Sequence, residues 1–130
     1  MNAPDTPCLF CDSSAAVLRN AHAYVRFDDY PANPGHCLII PFRHFASFFD
    51  ATPEERAAIF SIIDEARALV DAQYHPGGYN IGVNVGPIAG QSVPHLHVHL
   101  IPRYAGDVEN PKGGVRGVIP SRQRYDLKTS

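Results

Sequence analysis

Three histidines at alternate positions, His95, His97 and His99, are the densest chemistry in this chain of 130 residues. Leu96, Val98 and Leu100 alternate with them, and that period of two marks a half-buried β-strand with the imidazoles on its wet face. A strand rises about 3.3 Å per residue, so His95 and His99 are expected roughly 13 Å apart along it. Rings so far apart cannot all converge on one metal ion; they suit a groove that holds an extended anion. Imidazole titrates near neutrality. Its neutral nitrogen is a good nucleophile toward phosphorus, and a neighbouring ring can stabilise charge and protonate a leaving group. The turn Gly90-Gln91-Ser92 leads into this stretch, with backbone N–H groups and two side chains able to donate to a phosphate. No Gly-x-Ser-x-Gly elbow exists, which argues against serine hydrolase chemistry.

A second cluster is Cys8-Leu9-Phe10-Cys11. Such a pair is half of a metal site, a redox pair, or two small buried side chains. The redox form usually opens a helix in a βαβ unit. Here Asp12-Ser13-Ser14 follows, as in a knuckle-like turn. A zinc site would need two further ligands. The chain has no second Cys pair, so those ligands would be histidines, and His44 after Pro41-Phe42-Arg43 is one candidate. The third cysteine, Cys37, is expected in the core. An odd cysteine count without an export signal points to a reducing, cytoplasmic setting rather than a disulfide framework.

The elements that position these groups follow from local patterns. Residues 15–20 and 22–28 are expected to form two short strands joined at Asn20-Ala21. The turn cluster Asp28–Gly35 precedes a third strand, 36–41, with His36 at its mouth. Thr52-Pro53-Glu54-Glu55 opens a helix over 53–74, with a Thr cap, Pro at the first position and Glu three residues after the cap. Ile59, Ile62, Ile63, Ala66, Leu69 and Val70 form its buried stripe. Pro76-Gly77-Gly78 is expected to stop it. Residues 79–85 read as a strand with Ile81, Val83 and Val85 on one face and Asn80, Gly82 and Asn84 on the other. Gly82 leaves room there for a ligand. Residues 113–120 are expected to be extended. The fold class predicted is α+β: an antiparallel sheet of about five strands with one long helix, in a single domain over 1–130.

Apolar content is 45% and net charge −2, ordinary values that call for no nucleic-acid partner. Charge is uneven: residues 103–130 hold six of the eleven Lys/Arg and three of the thirteen Asp/Glu, making 105–130 a basic, loop-rich arm. That arm can meet a polyphosphate or lie solvated. No apolar run reaches transmembrane length, and Met1–Pro7 lacks the character of a signal peptide, so no membrane partner is expected.

The stretch His95-Leu96-His97-Val98-His99-Leu100-Ile101 resembles the histidine triad motif, His-φ-His-φ-His-φ-φ. The likeness extends to Pro34–His44 and to Asn84 through Tyr104, most of residues 8–104 in all. The resemblance implies a homodimer of α+β subunits with joined sheets. It also implies binding of purine nucleotides and cleavage of a phosphoanhydride or phosphoramidate bond at the α-phosphate. His97 would be the nucleophile that takes the nucleotidyl group; His99 would assist at the α-phosphate and leaving group, and His36 matches a fourth histidine. Asp28 matches the ribose-binding acid, and Asn84, Gly90, Gln91 and Ser92 match the phosphate-contacting positions. In zinc-containing members the ligand set maps onto Cys8, Cys11, His44 and His95, implying a structural Zn²⁺. Arg103-Tyr104-Ala105-Gly106-Asp107 resembles the dinucleoside polyphosphate hydrolase branch, and His99 argues against the transferase branch, which carries Gln there. Phosphorylase or transferase activity of the same family, and a nucleotide-binding regulatory role with vestigial activity, are the alternatives.

Overall fold

The computed structural model describes residues 8–126; Met1–Pro7 and Lys128 of the basic arm lie outside the described residues. Five strands form one sheet: β1 (Leu18–Arg19), β2 (Ala23–Phe27), β3 (Cys37–Pro41), β4 (Gly78–Val83) and β5 (Val98–Arg103). Their order is β1-β2-β3-β5-β4, and every neighbouring pair is antiparallel. The helix α1 (Pro53–Tyr74) lies between β3 and β4 in the chain. It opens with the expected capping box: Thr52 accepts from the Glu55 N–H, and the Glu55 carboxylate accepts from the Thr52 N–H. The helix ends at Tyr74 as expected, two residues before Pro76. His75 takes a left-handed conformation (φ 52°), and its N–H reaches Asp71 O.

The pleat divides the sheet into two faces with different tasks. Val25, Ile39, Val98 and Leu100 pack against Ile59, Ile62, Ile63, Ala66 and Val70 of α1. Each such aliphatic side chain contributes about 2 kcal/mol by leaving water. The opposite face carries Tyr24, Leu38 and Ile40, covered by Phe10 from the N-terminal knuckle. Register then draws a row of side chains across that second face. Arg26 lies opposite Leu38, Leu38 opposite His99, and His99 opposite Gly82. The helix face holds the larger core; the knuckle face carries His99 in its row.

Several boundaries differ from expectation. The histidine stretch is not a strand throughout. Among its histidines only His99 lies in β5, while residues 92–97 run irregularly, anchored by Leu96 N–H to Phe45 O at 2.7 Å. Pro94 removes a ladder donor there. Residues 15–17, 36 and 84–85 also fall outside the strands. Ile81 is on the helix side of the sheet yet 50% exposed, because β4 is an edge strand. The segment expected to be extended instead coils into two 3₁₀ turns, Gly114–Val118 and Pro120–Arg122. Gly113 (φ 88°) permits this, since a Cβ there would lie 1.9 Å from Gln123 O. No helix among the described residues is long and apolar enough to cross a membrane.

Candidate active site and metal centre

His97 is buried, and its Nδ1 lies 2.9 Å from the carbonyl two residues back, His95 O. A carbonyl only accepts, so Nδ1 carries the proton and the Nε2 lone pair is left free. Beside it, His99 stands with ring centroids 5.1 Å apart. The proton on His99 is set by a chain of contacts. The Ala32 N–H donates to His36 Nδ1 at 2.9 Å, so His36 must hold its own proton on Nε2. That proton is donated to His99 Nδ1, also at 2.9 Å. The N–H of His99 is therefore on Nε2. Asp28 Oδ2 lies 3.5 Å from His36 Nε2, a negative charge beside that donor.

Burial decides the charge of these rings. It pushes His99 down from 6.5 to about 4, with His97 and His36 adding repulsion and Asp28 opposing. His36 is lowered by burial against the pull of Asp28. Both rings are neutral at neutral pH, so His99 acts as a hydrogen-bond donor rather than a resident imidazolium in the free protein. Asp28, His36 and His99 also bring ligand-type atoms within 4.8 Å of one another. The proton between His36 and His99 makes this a hydrogen-bonded relay rather than an open set of metal donors.

His95 belongs to a different cluster. Its Nε2 lies 2.8 Å from Pro41 O and must donate there, which leaves the Nδ1 lone pair facing Cys8 Sγ at 3.3 Å and Cys11 Sγ at 3.6 Å. His44 Nδ1 is 3.1 Å from His95 Nδ1 and 3.4 Å from Cys11 Sγ. A tetrahedral ion with bonds of about 2.0–2.1 Å to nitrogen and 2.3 Å to sulfur separates its ligand atoms by about 3.3–3.8 Å. The spacing and the donor types fit Zn²⁺ in a closed Cys₂His₂ site. The face-sharing triad expected from alternation is thus split. His97 and His99 line one cleft, and His95 turns to the cysteines.

The cleft holds about 340 Å³ and is bounded by Asp28, Asn84, Ser92, His97 and His99 at one end. Leu9, Phe10, Arg26, Asp29, Tyr30, Leu38 and Val93 form the rest. Asn84 and His99 also border a neighbouring cleft of about 460 Å³ walled by Val115 and Val118 of the arm. Gln91 is a departure from expectation. Its Oε1 accepts from Gly86 N–H, and its Nε2 donates to Ala46 O and Val93 O. The amide is consumed in shaping the loop and has nothing left for a phosphate. Gly90 (φ 97°) supplies the left-handed turn beside Asn84 and does not line the cleft. Arg103 is likewise committed: it grips Asp107 with two bonds and reaches Asn80 Oδ1 with a third. That grip, with Asn33 and the Tyr104 N–H, holds the Asp107 carboxyl well below its usual range. The larger cleft beside Arg103, about 510 Å³, contains none of the histidines.

Phe10 and Arg26 are the site residues that sequence reasoning passed over. Phe10 lies between the two cysteines, 5% exposed, with its ring 4.9 Å from that of His97. Arg26 sits two residues before Asp28, which on a strand means the same face; that alternation was the available signal.

The chain matches the HIT domain over residues 12–106 and belongs to that family. It is 35% identical over 104 residues to AP-4-A phosphorylase of Mycobacterium tuberculosis, covering 79% of this chain and 53% of the relative. It is 34% identical over 105 residues to bis(5'-adenosyl)-triphosphatase of Saccharomyces cerevisiae, covering 80% and 51%. The chain thus spans about half the length of these curated relatives. Among solved structures, a HIT family protein from Bacillus anthracis superposes with TM-score 0.72 at 29% identity, over 95% of this chain and 82% of that one. A Zn-bound histidine triad family protein from Mycobacterium smegmatis gives 0.70 at 28% identity, over 79% of each chain. These neighbours share the antiparallel five-stranded α+β architecture.

Proposed function

We propose that this HIT chain is a zinc-containing nucleotide hydrolase that cleaves a dinucleoside polyphosphate, or a related phosphoanhydride or phosphoramidate, at a nucleoside α-phosphate. The observation that carries this reading is the free Nε2 of His97 beside the His99 N–H, in one cleft with Asp28 and Ser92. The activities named for the mycobacterial and yeast relatives support the substrate class.

In the proposed mechanism His97 Nε2 attacks the α-phosphorus and forms a P–N bond. The scissile P–O or P–N bond breaks and its electron pair leaves with the departing group: a phosphate departs as its anion, an amine after taking a proton from solvent. His99 Nε2–H donates to oxygen as charge develops there, held in that tautomer by His36. Ser92 and Asn84 bind the non-bridging oxygens. Asp28 takes the ribose hydroxyls with the carboxylate capacity left beyond the Tyr30 N–H it already accepts. Water then attacks the same phosphorus; the P–N bond breaks with its electron pair returning to His97 Nε2, the water's proton passes to solvent, and the nucleoside monophosphate leaves. Cys8, Cys11, His44 and His95 would hold the zinc. With four protein ligands the ion supplies cross-linking rather than an open position for reaction.

His97→Ala should abolish turnover of diadenosine tetraphosphate while retaining nucleoside monophosphate binding by calorimetry. Full activity in that variant overturns the mechanism. A phosphorylase reading is favoured by the name of the mycobacterial relative. Product analysis with and without inorganic phosphate separates the two, since a phosphorylase yields the diphosphate only when phosphate is present. The open edge of β4, with half-exposed Ile81, supports a homodimer in which two sheets join. A monomer in light scattering overturns that pairing.

A further inference from the structure

The cleft has a second polar end, away from the histidines, that the proposed chemistry does not use. Arg26 is only 7% exposed and stands in the row Arg26–Leu38–His99 across the sheet. Two strand spacings put its backbone about 10 Å from that of His99, the reach of a nucleoside held by its α-phosphate. Its guanidinium lies 5.9 Å from the centroid of the Phe10 ring. Nη2 donates to Asp29 Oδ2 at 2.9 Å and Nε to Phe27 O at 3.5 Å, while Nη1 has no hydrogen-bond partner among the described residues. The Asp29 side chain is 65% exposed and keeps its other oxygen free. Arg26 and Asp29 form an ion pair whose charges cancel, so this end offers no net positive charge to a phosphate and accepts a neutral group. Leu9, Phe10, Leu38 and Val93 give it an apolar floor and walls suited to a flat ring.

We infer that Arg26 and Asp29 read the edge of the nucleobase and select guanine over adenine. The inference rests on the cleft being a nucleotide site. Guanine presents two adjacent donors, N2–H and N1–H, followed by two adjacent acceptors, O6 and N7. A carboxylate beside a guanidinium offers the complementary order: acceptors, then donors. Adenine presents one amino donor between two acceptors. It can give the carboxylate a single group and leaves part of the buried fork unmatched. Phe10 bears on both ends, touching His97 on one side and Arg26 on the other.

The test is calorimetric titration of the zinc-loaded protein with GMP and with AMP, alongside turnover of diguanosine and diadenosine tetraphosphates. Wild type should prefer guanine by roughly tenfold or more in both measurements. In Arg26→Leu and in Asp29→Asn the two bases should become equivalent, mainly through loss of guanine affinity. Asp29 is exposed, so Asp29→Asn keeps the fold even if Arg26→Leu does not. Equal affinities in wild type, a preference for adenine, or a guanine preference that survives Asp29→Asn overturns the inference. Equal binding of both bases with turnover intact leaves the nucleotide hydrolase reading standing. Failure of both nucleotides to bind removes that reading, and this one with it.

Discussion

Removing zinc from the Cys8–Cys11–His44–His95 centre should weaken nucleotide binding as well as the fold. The connection is Phe10, which sits between Cys8 and Cys11 of the proposed zinc site and forms part of the cleft wall. Burying a phenylalanine side chain is worth about 2–3 kcal/mol. Without the metal, Leu9–Cys11 is still held by the Tyr24 hydroxyl, which donates to Phe10 O at 2.6 Å. If that contact preserves half of the ordering, about 1–1.5 kcal/mol is lost from the nucleotide's side, or roughly tenfold in Kd. The assay is calorimetric titration of a nucleoside monophosphate into zinc-loaded, chelator-treated and re-zincated protein, with circular dichroism to follow the fold. Linkage requires the reciprocal effect: saturating nucleotide must raise zinc affinity by the same factor, read by competition with a chromophoric chelator. Nucleotide affinity that stays within about twofold on metal removal, in a protein that remains folded, refutes this coupling.

Other consequences follow from single contacts. Because His36, His95 and His99 are all lowered, the unfolded chain takes up protons that the folded chain resists. Stability of the metal-free protein should therefore fall as pH drops from 6.5 toward about 4, and His99→Asn should flatten the slope of Tm against pH. Gly35→Ala should cost about 3 kcal/mol in denaturant unfolding, through both left-handed strain and overpacking. Gly35 has φ 90°, and a Cβ there would lie 2.9 Å from Tyr74 Cδ2. Glu55 accepts two bonds from Arg43, at 3.0 and 2.8 Å, next to the loop that carries His44. Glu55→Gln should lower stability by about 1.5 kcal/mol, near 5 °C in Tm, and weaken zinc retention.

Much of the architecture was legible in local patterns because local physics sets it. The α1 boundaries follow from Thr52, Pro53 and Glu55, a cap that needs no tertiary partner. The strands were legible by alternation, but their ends were not. Leu96 satisfies its N–H on Phe45 O rather than on a neighbouring strand, and no window of sequence displays that partner. The arm failed for a similar reason: glycines that read as extended chain instead permit a coil closed on Gln123. The type and place of Gln91 suggest a phosphate donor, yet three loop contacts engage its amide.

The sequence by itself determined the inventory. It supplied imidazoles at alternate positions, a Cys-x-x-Cys pair, a capped amphipathic helix and an alternating sheet, because each depends on spacing along the chain. Tertiary structure alone decided the division of labour. His95 and His97 are two residues apart, but a bend before β5 sends one ring to two cysteines more than eighty residues away and leaves the other in the cleft. The tautomers were decided there too. Pro41 O, His95 O and the Ala32 N–H each fix where a ring proton sits, and so which nitrogen can bind a metal, attack phosphorus or donate. A lone pair's direction depends on what the other nitrogen touches, and that partner exists only once the chain has folded.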